Sequence, residues 1–278
     1  MAQPQVIIEE KERAAEIPLL PESALDAVIR GFAPTSLSEM DSVALLSRMD
    51  TKYILSTSQL LAALRNLRQQ YRILTINGRR AHHYRTLYFD TPDFTLYHDH
   101  VTGRARKVKV REREYADTGI AYLEIKSKDV KERTDKSRLP VAAQTERLDD
   151  QMRRFVGGFL PEGEQLEPKL WNIFRRITLV SYAQMERLTI DVDLVFDDGQ
   201  RCLTLDGIAI AEVKRGSLSR GSAFAAEMRR LGVRETGFSK YCFGVSQLSD
   251  CVKKNSQKEK VLLIAKQNQR GIDYVCYA

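Results

Sequence analysis

The segment KVKVREREY, Lys107 to Tyr115, carries a basic side chain at every second position: Lys107, Lys109, Arg111 and Arg113. Alternate side chains of an extended strand share a face, so these four cations form one row. YLEIKSK, Tyr122 to Lys128, repeats the habit with Glu124, Lys126 and Lys128, and the ADTG between the two segments reads as a turn. The expectation is an antiparallel hairpin with both charged rows on the same face. A solvated sheet face also alternates, but it mixes signs, because like charges directly opposite one another destabilise a strand pair. From Arg104 to Arg138 twelve basic residues stand against seven acidic ones, an excess of five within a chain of net charge +7. Such density anticipates an anion, and composition alone leaves nucleic acid, an acidic membrane surface and phosphorylated small molecules open.

Other segments follow the same design. In ERLTIDVDLVF, Glu186 to Phe196, the residues Arg187, Thr189, Asp191 and Asp193 alternate with Leu188, Ile190, Val192, Leu194 and Phe196. Arg48, Asp50 and Lys52 are in phase in SRMDTKYIL, as are Glu212 and Lys214 in IAIAEVKRG, and Arg85 with Leu87 and Phe89 is assigned to the same inward set. Amphipathic helices are expected after a Ser56 or Thr57 cap, from Glu146 to Val156 behind a Thr145 cap, and from Ser222 to Gly232. They would cover the apolar faces, leaving the charged faces pointing at one another. The predicted fold is therefore α+β: a closed antiparallel β-barrel forming a tunnel with a charged interior, helices packed outside. Buried charges are tolerated there only with a ligand and water. The basic excess selects a polyanion, and the in-phase acids Glu124, Asp191 and Glu212 leave a place for a divalent cation, as in triphosphate sites.

The 278 residues, 43% of them hydrophobic, suffice for one body, assigned to residues 32–250. It is preceded by an extension, 1–31, with a short helix near Glu22 to Arg30, and followed by a tail, 251–278, that opens on a solvated KKNSQKEK linker. The four cysteines form no CxxC pair, and no apolar run approaches the roughly 18 residues of a membrane span. A cytoplasmic protein is expected, with peripheral membrane attachment through a membrane-protein partner left open and the oligomeric state unassigned. The four histidines lie between His82 and His100, but a tunnel carboxylate explains a metal better than HHY or HDH. There is no GxxxxGK[ST] loop. Reading nucleic acid would require rings on the basic face, and the row Lys107 to Arg113 holds none, so no nucleic acid is expected as partner.

Seven segments in order, RMDTKY, YFDTPDFTLYHDH, KVREREY, LEIKSK, RLTIDVDLVF, AEVKRG and FSKYCFG, closely resemble the VTC (vacuolar transporter chaperone) domain. That domain is a polyphosphate polymerase of the triphosphate tunnel metalloenzyme (CYTH-like) fold, and the resemblance runs from Ser47 to Leu248. It implies transfer of the γ-phosphate of ATP to a growing polyphosphate, with release of ADP. By motif match, Lys52, Arg111, Arg113, Lys126, Lys136, Arg176 and Lys240 would grip phosphate, Ser239 would donate a hydrogen bond to it, and Glu212 would hold Mn²⁺ or Mg²⁺. The in-phase Lys109, Arg187 and Lys214 join the substrate contacts, and Glu124 joins Glu212 at the metal. The sequence departs from the family pattern at Phe174, where a tyrosine is usual, and near Gly237, where a further lysine is missing. A triphosphatase of the same fold, or a non-catalytic module for polyphosphate or inositol polyphosphates, uses the same residue types.

Overall fold

The computed structural model describes residues 23–41, 48–105, 107–128, 134–143, 147–216, 221–267 and 273–276. The elements in order are α1 (Ala24–Arg30), β1 (Ala33–Thr35), α2 (Leu37–Asp41), β2 (Arg48–Ser56), α3 (Thr57–Leu67), β3 (Arg72–Leu74), β4 (Ala81–Asp90), α4 (Thr95–Thr102) and β5 (Lys107–Tyr115). There follow β6 (Ile120–Lys128), β7 (Thr134–Val141), α5 (Asp150–Gly157), β8 (Glu167–Ser181), β9 (Glu186–Asp197), β10 (Arg201–Leu205), β11 (Ile208–Gly216), α6 (Ala223–Arg230), α7 (Lys240–Leu248), α8 (Lys258–Gln267) and β12 (Asp273–Cys276).

The hairpin forms as its alternation demands. β5 and β6 pair from Lys107 opposite Lys128 to Tyr115 opposite Ile120, and Gly119 takes the left-handed conformation (φ 67°) that closes the turn. Antiparallel pairing then carries the sheet in the order β7-β6-β5-β4-β8-β9-β11-β2. Among the described residues no pairing joins β7 to β2, so the sheet curls into a trough open along one seam and is not the closed barrel expected from the sequence. Two features of the edges oppose closure. Pro140 of β7 has no N–H to offer another strand, and β7 and β2 turn the like charges of Lys136 and Lys52 toward the interior.

The outer face carries two apolar cores. Leu60, Leu64 and Leu67 of α3 pack with α1 and α6 on Ile177, Leu179, Leu188 and Ile190, while Met152 and Val156 of α5 cover Val108, Val110, Leu123 and Ile125. Ser56 caps α3 in a capping box with Gln59, as its sequence signals, whereas α5 is capped by Asp149 and begins later than expected. The expected Thr145 cap lies outside the described residues. α1 sends Leu25 and Ile29 into the first core.

The inner face is charged over only half its length. At the other half Ile54, Leu170, Phe174, Phe196 and Ile210 turn inward and α7 fills the space with Tyr241 and Phe243. Gly244 permits that approach, since a Cβ there would meet Leu170 at 2.5 Å and Phe196 at 2.7 Å.

Three local expectations are corrected. Arg85 lies on the outer face, paired with Glu114 and 5.2 Å from the Trp171 ring, because the inward residues of β4 are Tyr84, Thr86 and Tyr88. Asp193 leaves the inward row at a bulge where its φ is +53°, and it pairs with Arg175 at the surface. KKNSQKEK is docked in part: the Lys253 carbonyl accepts from Tyr97, Gln257 is buried, and α8 sends Ile264 into the α7 core. Among the described residues no helix is long and apolar enough to cross a membrane.

Candidate functional site

The register of β5, β6 and β7 arranges the inward charges in rungs. Arg111 stands opposite Glu124, which stands opposite Arg138; the next rung is Lys109, Lys126 and Lys136. Glu124 is almost fully buried and meets Arg111 at 2.7 Å, Lys136 at 2.6 Å and Arg113 at 3.7 Å. Burial would raise its carboxyl, but Arg111, Arg113 and Lys136 override that and hold it well below the usual range. Lys109 and Lys126 sit side by side, and among the described residues neither has a carboxylate in ion-pair contact. Burial, reinforced by Lys52, Lys126 and Arg111, brings the Lys109 ammonium down to about 8; burial and Lys52 lower Lys126 as well.

The facing wall is built by β2, β11, β9 and β8. Glu212 lies 2.5 Å from Lys214 and 3.8 Å from Lys52, and Lys52 also donates to the Phe238 carbonyl at 2.8 Å. Burial opposes ionisation of Glu212, yet Lys214 and Lys52 bring it down to about 2. One strand along, Asp191 takes a two-point grip from Arg176, at 2.6 and 2.8 Å, and a contact from Lys240 at the start of α7. Burial and the neighbouring Arg176 bring Lys240 down to about 7 against the pull of Asp191. Ser239 is the N-cap of α7 and accepts from the Cys242 N–H. Arg187, opposite Lys214, donates to the Met40 carbonyl of α2, which ties it to the rim of the wall.

The structure thus groups Arg111, Arg113 and Lys136 about Glu124, Lys52 and Lys214 about Glu212, and Arg176 and Lys240 about Asp191. Among the described residues no three His, Cys, Asp or Glu side chains converge to hold a metal ion. A hard cation that takes one or two carboxylates and completes its shell with phosphate oxygens and water fits Glu212, which keeps a partly open face. It does not fit Glu124, whose oxygens are engaged by three cations. The histidines do not gather: His83 pairs with Asp117, and His100 lies against the Val108 carbonyl.

Apart from Phe174, the rings of the site were missed from sequence. Tyr84 and Tyr88 of β4, Tyr115 of β5, Tyr122 of β6 and Phe174 of β8 all project inward among the arginines. The signal was available in part: Tyr115 follows Arg113 by two residues and Tyr122 precedes Glu124 by two. The alternation that identified the cations includes them.

The family profile of the VTC domain matches residues 47–249. No match is found among curated proteins. Among solved structures, an adenylate cyclase candidate from Bacillus halodurans is 15% identical, with 73% of this chain and 97% of that one covered at a TM-score of 0.44. An adenylyl cyclase candidate from Hippeastrum, described as having a dominant triphosphatase activity, is 14% identical, with 73% and 99% covered at 0.43. The PH1819 protein of Pyrococcus horikoshii is 11% identical, with 72% and 96% covered at 0.42.

Proposed function

The chain belongs to the VTC domain family, and from that premise we propose that it is a metal-dependent polyphosphate polymerase that moves the γ-phosphate of ATP onto a growing polyphosphate. One observation carries the reading: Lys109 and Lys126 face the trough side by side, with Lys52 acting on both and no carboxylate in contact with either. Adjacent buried like charges are unfavourable until an anion arrives.

In the proposed reaction an oxygen of the terminal phosphate attacks the γ-phosphorus, the bond from that phosphorus to the β–γ bridging oxygen breaks, and ADP leaves. Arg111, Arg113, Arg176, Lys126 and Lys240 neutralise the equatorial oxygens and hold the line of attack, which is most of what phosphoryl transfer requires of a protein. Lys52, Lys109, Lys136 and Lys214 grip neighbouring phosphates, Ser239 donates to one, and Arg187 meets the substrate near the rim. Mn²⁺ or Mg²⁺ held by Glu212 would supply further charge neutralisation. The open seam favours a second reading, a triphosphatase, since it leaves water a route to the same phosphorus.

The test is incubation with ATP and Mn²⁺ followed by separation of long chains, orthophosphate and ADP. Chains with ADP are expected. Orthophosphate and ADP without chains would make the protein a hydrolase, and binding without turnover would make it a sensor of polyphosphate or inositol polyphosphates.

A further inference from the structure

The two ends of the trough differ in chemistry. At the hairpin-turn end the Tyr84 ring lies 5.0 Å from Tyr115, Tyr115 lies 6.3 Å from Tyr122, and Tyr84 stacks on Phe174 at 5.3 Å with planes 12° apart. Arginines are laid over these rings: Arg176 and Arg113 over Tyr84 at 5.0 and 5.7 Å, and Arg138 over Tyr122 at 5.1 Å. Tyr84, Tyr115 and Tyr122 are only half-buried, and among the described residues their hydroxyls have no hydrogen-bond partner. Six residues along β5, about 20 Å at strand spacing, the rung of Lys109, Lys126 and Lys136 has no described ring contact.

An inorganic polyphosphate has no use for rings. A ligand with an aromatic base at one end and bare phosphate at the other matches both ends. Half-exposed tyrosines interleaved with guanidinium planes are the surface on which bases stack, with little preference among them. We propose that the hairpin-turn end is a nucleoside subsite: the base of a nucleoside triphosphate lodges against Tyr115 and Tyr122, and its phosphates run inward past Arg113 and Arg111 toward Lys109 and Lys126. This rests on the reading of the trough as a triphosphate site, and it adds a polarity to that site. The nucleotide enters base-outward at the turn end, so the acceptor phosphate must approach from the lysine end.

Two measurements test it. Calorimetric titration with ATP and with inorganic tripolyphosphate is made on the wild type, Tyr122→Leu and Tyr122→Phe. Tyr122→Leu is expected to weaken ATP about tenfold, within the range for one stacked base, while tripolyphosphate stays within about twofold; Tyr122→Phe, which keeps the ring, should retain ATP. Equal loss for both ligands, or no loss for ATP, overturns the subsite and leaves the rings as packing. A wild type that does not bind tripolyphosphate overturns the reading of the trough itself. Photolabelling of the wild type with 8-azido-ATP needs no variant: label in the peptide spanning Tyr115 and Tyr122, suppressed by excess tripolyphosphate, is expected, and label elsewhere overturns the assignment.

Discussion

Glu124 and Glu212 occupy equivalent places at the middle of their strands, and their neighbours give them opposite work. Glu124 is enclosed by three cations, so Glu124→Gln should destabilise the ligand-free protein by about 3–5 kcal/mol, as breaking a buried ion pair does, read by urea unfolding. Glu212 holds two lysines at a partly open face. Glu212→Gln should abolish Mn²⁺-dependent turnover yet leave metal-free tripolyphosphate affinity equal or higher, because a carboxylate has left an anion site; calorimetry in chelator against product analysis in Mn²⁺ separates the two. Lys109 gives a pH signature. Its ammonium titrates near 8 in the fold and near 10.4 in an unfolded chain, so between those values the unfolded state binds more protons and ligand-free stability rises with pH. Tripolyphosphate affinity should fall across the same window as the cation is lost, and Lys109→Arg should flatten that fall. The cations of the site were legible because alternation alone places them. The distinction between the two glutamates was not, since it depends on which cations the neighbouring strands bring: Lys136 from β7 beside Glu124, and Lys52 from β2 beside Glu212.

Among the elements, α7 is the one whose position sets the site, for it carries Ser239 and Lys240 to the charged half of the trough. Gly244 lets it seat against Leu170 and Phe196. Gly244→Val should cost about 1–3 kcal/mol by overpacking, lower the thermal midpoint, and weaken tripolyphosphate binding although residue 244 touches no ligand. A variant with a lowered midpoint and unchanged affinity would sever α7 from the site. The strands β2, β5, β6, β9 and β11 were readable from period and turn residues. β7 was not, because TDKSRLPV is polar and holds a proline, the composition of an edge strand. α4 was hidden by aromatic residues that suit a strand; what makes it a helix is the Asp90 carboxylate, which accepts from the Leu96 and Tyr97 N–H groups while Tyr241 of α7 donates to it. Arg85 departs from the inward expectation because Leu87 and Phe89, in phase with it, belong to the outer core.

At the scale of the molecule, a charged interior without its anion stores repulsion that binding relieves. Inorganic tripolyphosphate at a hundred times its dissociation constant should stabilise the fold by about 2.7 kcal/mol through mass action, and a single-stranded oligonucleotide with as many phosphates should raise the melting temperature far less at moderate salt, because the described rings lie at the turn end alone and the rung of Lys109, Lys126 and Lys136 gives further bases nothing to stack on. Equal stabilisation by the oligonucleotide would move the reading to nucleic-acid binding. That the sheet would curl with charge inside followed from opposed apolar and charged faces. That it would stop short of closure did not, because closure depends on whether two edge strands meet, and neither edge announces its partner. The seam between β7 and β2 bears on how a polymer is loaded. A ring must be threaded from a free end, whereas a gutter can receive a strand anywhere along its length. Polyphosphate carrying a streptavidin-capped biotin at each terminus should therefore bind about as well as the uncapped polymer, and the protein should engage a long chain at internal phosphates as readily as at its tips.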